Sequence, residues 1–303
     1  MKGAGARSFL PYAAAIVVTL LWSSSFVLIK WGLTDIPPIY FATLRYALAF
    51  LVLLTASALT RRGGAQRPPG SRSRTSLLVV AGFCGYTIAQ GFQFVGLYYL
   101  PAVTTSFLLN FNPFFVLILG TAILSERASA LQVGGLGVAI VGAWAYFGGI
   151  SSAGGQLLGI VIVLVAGLGW AVYVVVVRML QREGALDSLR LTTVTMGVGV
   201  VGMLAMTVLS GEYAPLTADG VTIIVWLATV NTAFAFFAWN WTLKAIPAYE
   251  LTVLQDLMLV EIAIFAFAFL GETITPLMAA GIVLVLAGVA IVQLRGRIKQ
   301  RAM

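Results

Sequence analysis

The sequence predicts an all-α integral membrane protein, ten transmembrane helices arranged as two inverted five-helix repeats. Three observations carry this. Of 303 residues, 60% are hydrophobic and only 9% charged, against roughly 25% charged in an ordinary soluble domain. Ten apolar runs of bilayer-crossing length can be laid along the chain. Landmarks in the first half also recur in the second at an offset of 146 to 148 residues.

A mean hydropathy of +1.01 leaves too little polar surface for water, so the lipid bilayer is the expected surrounding. The single cysteine, Cys84, lies inside an apolar run, so no disulfide framework exists. The absence of histidine removes the commonest metal ligand and catalytic base. No cofactor is expected.

The expected spans are 12–33, 38–59, 76–99, 102–124, 131–148, 157–179, 189–209, 220–243, 249–270 and 276–294. Each is about the 20 residues a helix needs to cross a hydrocarbon core. Each must be helical, because a lone segment in lipid has to satisfy its own backbone hydrogen bonds. The first follows Lys2 and Arg7 but is too long for a signal-peptide core, so it reads as an uncleaved helix. The loop Arg61 to Arg74, rich in Gly and Pro, reads as an inner loop drawn to anionic lipid. Leu100-Pro101 and Ile246-Pro247 are connections short enough to force antiparallel neighbours. Asn112-Pro113 should kink the fourth span. Gly135 and Gly142 in the fifth span, and Gly281 and Gly288 in the tenth, put a close-packing face on each helix.

Charge placement orients the spans. With the first residue inside, 16 of the 18 Lys and Arg fall on inner segments and none in an outer loop; Lys30 and Arg45 lie within spans. This is the positive-inside rule in a strong form. It places both termini in the cytoplasm and the protein in the cell (inner or plasma) membrane, and it accounts for the net charge of +8 without a nucleic-acid partner. Trp22 with Lys30 recurs as Trp170 with Arg178, Leu100-Pro101-Ala102 as Ile246-Pro247-Ala248, and Glu126 as Glu272. Residues 1–149 and 150–303 are therefore two copies of one unit. Five spans is an odd number, so the second copy is inverted. Inverted repeats suit a carrier whose substrate site lies between them.

The run Leu21-Trp22-Ser23-Ser24-Ser25-Phe26 ending in Lys30-Trp31-Gly32 resembles the first-helix signature of the drug/metabolite transporter superfamily, EamA branch. So do Pro38, Phe41-Ala42 and Leu44-Arg45 in the second span, and the fourth span from Thr104 through Asn112-Pro113 to Ser125-Glu126-Arg127. Gly271-Glu272-Thr273 is the second copy of that ending. The resemblance covers essentially the whole chain. It implies a ten-helix exporter or permease for amino acids or other small metabolites, coupled to an ion or substrate gradient. One departure stands out. Where the family usually carries a Glu-Pro or similar pair in the second copy of the fourth span, this chain has Met258-Leu259, and its ninth span carries Glu250, Asp256 and Glu261.

Polar groups at bilayer depth are costly unless they face a bundle interior or a wet cavity. Trp22 and Ser24 fall in mid-span 1, Tyr86 and Gln90 in span 3, Asn110 in span 4, Trp170 and Tyr173 in span 6, Asn231 in span 8, and Asp256 and Glu261 in span 9. Their common depth points to a midplane cavity binding a small-molecule metabolite. An unpaired carboxylate there takes up a proton or a substrate ammonium; Asp256 and Glu261 are the candidates, or else they lock span 9 to a neighbour. The two tryptophans either wall the cavity or pack helices. Arg45 either receives a carboxylate or bonds backbone carbonyls. Lys30 and Arg178 read as snorkelling to the interface, and Glu126 and Glu272 as helix caps or inter-span hydrogen bonds.

The leading reading is a secondary transporter, most specifically an exporter of amino acids or related compounds working by alternating access. The alternative is a channel or non-transporting membrane subunit. Intramembrane proteolysis is not expected: there is no His for a Ser–His pair or a zinc motif, and no Gly-Asp dipeptide.

Overall fold

The computed structural model describes residues 9–59, 72–124, 129–148, 154–182, 188–242, 246, 251 and 254–301. Glu126, Glu250 and the basic stretch 60–71 lie outside the described residues. All regular elements among those described are helical. Eight helices are long and apolar enough to cross a bilayer: Leu10–Gly32, Pro38–Leu59, Arg74–Tyr99, Ala102–Ile123, Ala130–Gly148, Gln156–Leu180, Leu189–Ser210 and Pro276–Gln293. They match eight of the expected spans within a few residues. The shorter Ala218–Phe234 continues to Thr242 as the eighth span, and Met258–Leu270 is the C-terminal part of the ninth. Trp144, Val201, Leu209 and Phe267 are exposed apolar side chains, which suits lipid rather than water. The chain is a multi-pass membrane protein.

In chain order the elements are α1 (Phe9–Gly32), α2 (Pro38–Leu59), α3 (Arg72–Gly82), a π-helical stretch π1 (Phe83–Gly91), α4 (Phe92–Tyr99), α5 (Ala102–Leu109), α6 (Asn112–Leu124), α7 (Ala130–Gly148), α8 (Gly154–Arg182), α9 (Ser188–Ser210), α10 (Ala218–Ala228), π2 (Thr229–Phe234), α11 (Ala235–Thr242), α12 (Met258–Leu270) and α13 (Pro276–Arg301).

The repeat is visible in the packing. The fifth and tenth spans, α7 and α13, pack against each other, as do α2 and α9 from the second and seventh. A methyl added to Gly288 would stand 2.5 Å from Gly135 O, and one on Gly281 2.6 Å from Gly142 O. These helices touch backbone to backbone, as small residues allow in membranes. The pairing is antiparallel and self-complementary: Gly135 and Gly142 meet Gly288 and Gly281, their counterparts in reverse order. A two-fold relation produces contacts of this kind. The other contacts obey it too. Span 1 packs on spans 8 and 9, through α11 and α12, as span 6, α8, packs on spans 3 and 4, through π1, α4 and α6.

The irregular backbone is duplicated as well. Phe83 opens π1 and Thr229 opens π2, an offset of 229 − 83 = 146. The fourth span breaks at Asn110 and Phe111 between α5 and α6, and the ninth at Leu257 just before α12. The break expected at Asn112-Pro113 therefore falls at the same repeat position in both copies, although only the first has a proline. Pro113 lies at the first break; the second forms without a proline.

Two charged side chains satisfy helix ends. Glu272 accepts hydrogen bonds from the N–H groups of Ala102 (2.6 Å) and Val103 (3.0 Å), so the second copy caps the N-terminus of α5 in the first. This matches the expected cap, and a carboxylate is favoured at that end of the helix dipole. Lys30 departs from expectation. Its Nζ donates to Leu97 O (2.9 Å) and Leu100 O (3.2 Å) rather than snorkelling. The last carbonyls of α4 lack partners within their own helix, and the ammonium supplies them.

Two stability predictions follow from these contacts. Gly288→Leu should cost about 1–3 kcal/mol or more by overpacking, read as a lower melting temperature in detergent. Gly137→Leu, where an added Cβ meets nothing within 4 Å, should leave it unchanged. Glu272→Ala should cost about 1 kcal/mol through the lost cap and Glu272→Gln less; equal melting temperatures for all three proteins would remove the cap from the account.

Candidate functional site

The serine-rich turn of α1 builds one side of a polar cluster. Thr19 and Ser23 are four residues apart and so share a helix face; both are buried. They point at Glu261 in the first turn of α12. Thr19 Oγ1 lies 2.9 Å from Glu261 Oε1, and Ser23 Oγ donates to Oε2 at 2.7 Å. Each carboxylate oxygen thus has its own hydroxyl. Thr19 Oγ1 also lies 2.9 Å from Ile16 O. A hydroxyl has one hydrogen, which cannot fully serve two acceptors. With Glu261 protonated, its O–H donates to Thr19 and the Thr19 hydrogen goes to Ile16 O. With Glu261 ionised, Thr19 turns to the carboxylate. The same heavy-atom positions fit both protonation states.

The cluster continues onto π2. Asn231 is fully buried. Its Nδ2 donates to Leu21 O, to Ser25 Oγ (3.0 Å) and to Ser24 Oγ (3.1 Å). Its Oδ1 is buried without a hydrogen-bond partner. Ser24 and Ser25 bond back to Leu21 O, which spares their helix from unsatisfied hydroxyls. The next residue, Thr232, accepts from Arg45 Nε at 3.1 Å and donates to Leu227 O five residues back. That i−5 reach belongs to the widened π turn, a feature that recurs at functional sites. The Arg45 guanidinium also lies 5.3 Å from the Tyr46 ring and 5.8 Å from the Phe94 ring, within cation–π range.

A second, aromatic cluster occupies the equivalent place in the other copy. Tyr46 donates to Gln90 Oε1 at 2.6 Å, and its ring meets that of Tyr86 at 5.8 Å. Tyr86 meets Tyr173 edge-on at 5.8 Å, and Tyr173 stacks on Trp170 at 5.0 Å. Ser25 and Tyr173 are repeat counterparts (25 + 148 = 173), as are Asn231 and Gly85 (231 − 146 = 85). Accordingly Ser25 bonds Asn231, while a Cβ at Gly85 would stand 2.4 Å from the Tyr173 ring. The same contact is polar in one copy and aromatic in the other.

Of the residues expected at the site, Ser24, Asn231 and Glu261 come together in the first cluster, and Tyr86, Gln90, Trp170 and Tyr173 in the second. Trp22 packs on Phe236 (5.7 Å) and Trp239 (5.1 Å), in an aromatic group separate from Trp170. Asn110 donates back to Ser106 O at 2.9 Å within its own span. Asp256 sits at the break before α12, partly buried and already engaged. Thr19 and Thr232 were not anticipated; Thr19 was legible as the residue one turn before Ser23. A pocket of roughly 100 Å³ lined by Leu100, Pro101, Thr104, Phe147, Gln156, Ile160 and Met278 lies away from both clusters. Among the described residues no group of three Asp, Glu, Cys or His side chains is placed to hold a metal ion.

Known proteins agree with this architecture. A protein of Archaeoglobus fulgidus named an uncharacterized transporter is 30% identical over 278 residues, covering 89% of this chain and 92% of its own. A protein of Salmonella typhimurium named a probable amino-acid metabolite efflux pump is 27% identical, covering 95% and 96%. One crystal structure shares the fold at 19% identity with a TM-score of 0.64, covering 96% of this chain and 99% of that one. The family model described as the EamA-like transporter family matches twice, over residues 10–148 and 157–294, once per structural copy. This doubled match, which agrees with the two-fold packing, places the chain in the EamA-like transporter family.

Proposed function

We propose that the protein exports amino acids or closely related metabolites by alternating access, with Glu261 exchanging a proton for a substrate ammonium. The observation that carries this is the hydroxyl pair on Glu261, whose geometry accommodates the acid and the carboxylate without moving a heavy atom. Among the described residues no Lys or Arg pairs with it. A lone carboxylate in a membrane span costs roughly 2.5 kcal/mol or more on insertion scales, so its charge is best retained only where a cation arrives. Proton and ammonium then compete for one group, and that competition is what an antiporter requires.

In this reading the two copies, 1–149 and 150–303, exchange conformations, and the cavity between them opens to one side and then the other. The substrate site is lined by the polar cluster of Ser24, Asn231 and Glu261 and the aromatic cluster of Tyr86, Gln90, Trp170 and Tyr173. Trp22, Asn110 and Asp256 lie at its edges. The charge distribution supports an orientation with both termini on the cytoplasmic side of the inner membrane. The relative named as an amino-acid metabolite efflux pump supports the substrate class.

Transport by the purified protein in proteoliposomes tests this. Wild-type protein should accumulate an amino acid inside the vesicles against its gradient when an outward proton gradient (acidic lumen) is imposed, with saturation and counterflow. Glu261→Gln should lose at least tenfold of that uphill accumulation and its pH dependence, while downhill exchange persists. Accumulation unchanged in Glu261→Gln would sink the coupling role, and flux without saturation would favour a channel instead.

A further inference from the structure

Arg45 is buried, with 6% of its surface exposed, and carries a guanidinium that is always charged. Its Nε is satisfied by Thr232. Among the described residues no carboxylate pairs with its guanidinium. The rings of Tyr46 and Phe94 soften the charge but take up no N–H donors. Two residues away in the network lies the opposite deficit: Asn231 Oδ1 is a fully buried acceptor without a donor. Thr232 and Asn231 are consecutive on π2, and Asn231 reaches α1 beside Ser23, which holds Glu261. The cluster therefore has a cation without a counter-charge at one end and an acceptor to spare at the other.

An α-amino acid supplies what each end lacks. Its carboxylate offers two coplanar oxygens to the paired Nη groups, the fork geometry guanidinium favours. Its ammonium offers three N–H donors, enough for Asn231 Oδ1 and the Glu261 carboxylate together. We propose that Arg45 receives the carboxylate of a zwitterionic substrate, with Asn231 Oδ1 and Glu261 taking its ammonium, so that the transported class is free α-amino acids and not simple amines. This rests on the export reading above and adds the group that selects within it. A buried Arg whose only purpose was to tie α2 to π2 would need one bond to Thr232 and would have no bearing on which end of a ligand is charged.

Matched probes separate the two cases. Thermal shift and tritiated-ligand binding on the purified full chain would compare L-phenylalanine with phenethylamine, and L-leucine with isoamylamine. Wild-type protein should bind each amino acid at least tenfold tighter than its amine. Arg45→Gln should abolish that preference and leave the weak amine binding as it was; Arg45→Lys should restore part of it. Amino-acid affinity within twofold of wild type in Arg45→Gln would overturn the assignment alone. So would equal affinity of the wild-type protein for acid and amine, a result that needs no variant to fold. If no probe of either kind binds the wild-type protein, the export reading falls and this inference with it.

Discussion

The backbone contact between α7 and α13 is the constraint on which the rest of the arrangement depends. In lipid there is little hydrophobic drive for two apolar helices to associate, so their attraction comes from van der Waals packing and polar contacts. Such packing needs close approach, and Gly135, Gly142, Gly281 and Gly288 allow the two backbones to touch. Because each glycine meets its counterpart's partner, the crossing enforces antiparallel copies related by a two-fold axis. Once that axis exists, α2 must meet α9 in the same manner. There a Cβ at Gly197 would stand 2.8 Å from the Phe50 ring. The polar and aromatic clusters then fall at equivalent places on either side of the axis.

The same solvent explains where the helices are irregular. Backbone that leaves the α pattern at bilayer depth frees carbonyls and amides that lipid cannot satisfy, so it survives only inside protein. The two π stretches meet this condition, with Gly85, Tyr86, Thr87, Asn231 and Thr232 all buried, whereas Leu257 at the second break is 46% exposed. Thr232 takes up part of the load toward Leu227 O, and Thr87 ties π1 to α9 through Gly199 O. Each copy thus carries two weakened points in helices that face its partner. In the proposed alternating-access cycle these are the points at which the helices would bend as the two copies exchange shapes.

Much of this was legible in the sequence because lipid makes a strict reader. The span lengths, the 16 inner cations and the offset of 146 to 148 all follow from bulk constraints, and eight spans match within a few residues. What was not legible depended on individual contacts. Lys30 lies at the end of a span, where snorkelling is the ordinary expectation, and nothing local says that the bare carbonyls of α4 are within its reach. The π stretches have no sequence mark that both copies share; π1 holds two glycines and π2 none. Asn110 and Asp256, both expected at a midplane cavity, share a repeat position (110 + 146 = 256). They sit at the breaks, where Asn110 serves its own helix. Glu261 was singled out for its charge, but its hydroxyl partners come from a segment 238 and 242 residues away, a pairing that only the folded chain discloses.

The symmetry of the scaffold makes the asymmetry of its chemistry informative. Glu261 corresponds to Phe115, Asn231 to Gly85, Ser25 to Tyr173 and Thr19 to Gly167, so duplication kept the contacts while the side chains diverged. A carboxylate in both copies would double the cost of placing charge at bilayer depth, roughly 2.5 kcal/mol or more each, and would hold two cations where exchange needs one. In the proposed mechanism, keeping the charge on one side and aromatic rings on the other would leave a single group for which proton and substrate compete. Access to that group would pass from one side of the membrane to the other while the group stays at mid-depth, with the aromatic cluster as an apolar wall for the substrate's side chain. On that proposal the inverted repeat would supply the movement and the divergence between its halves the stoichiometry.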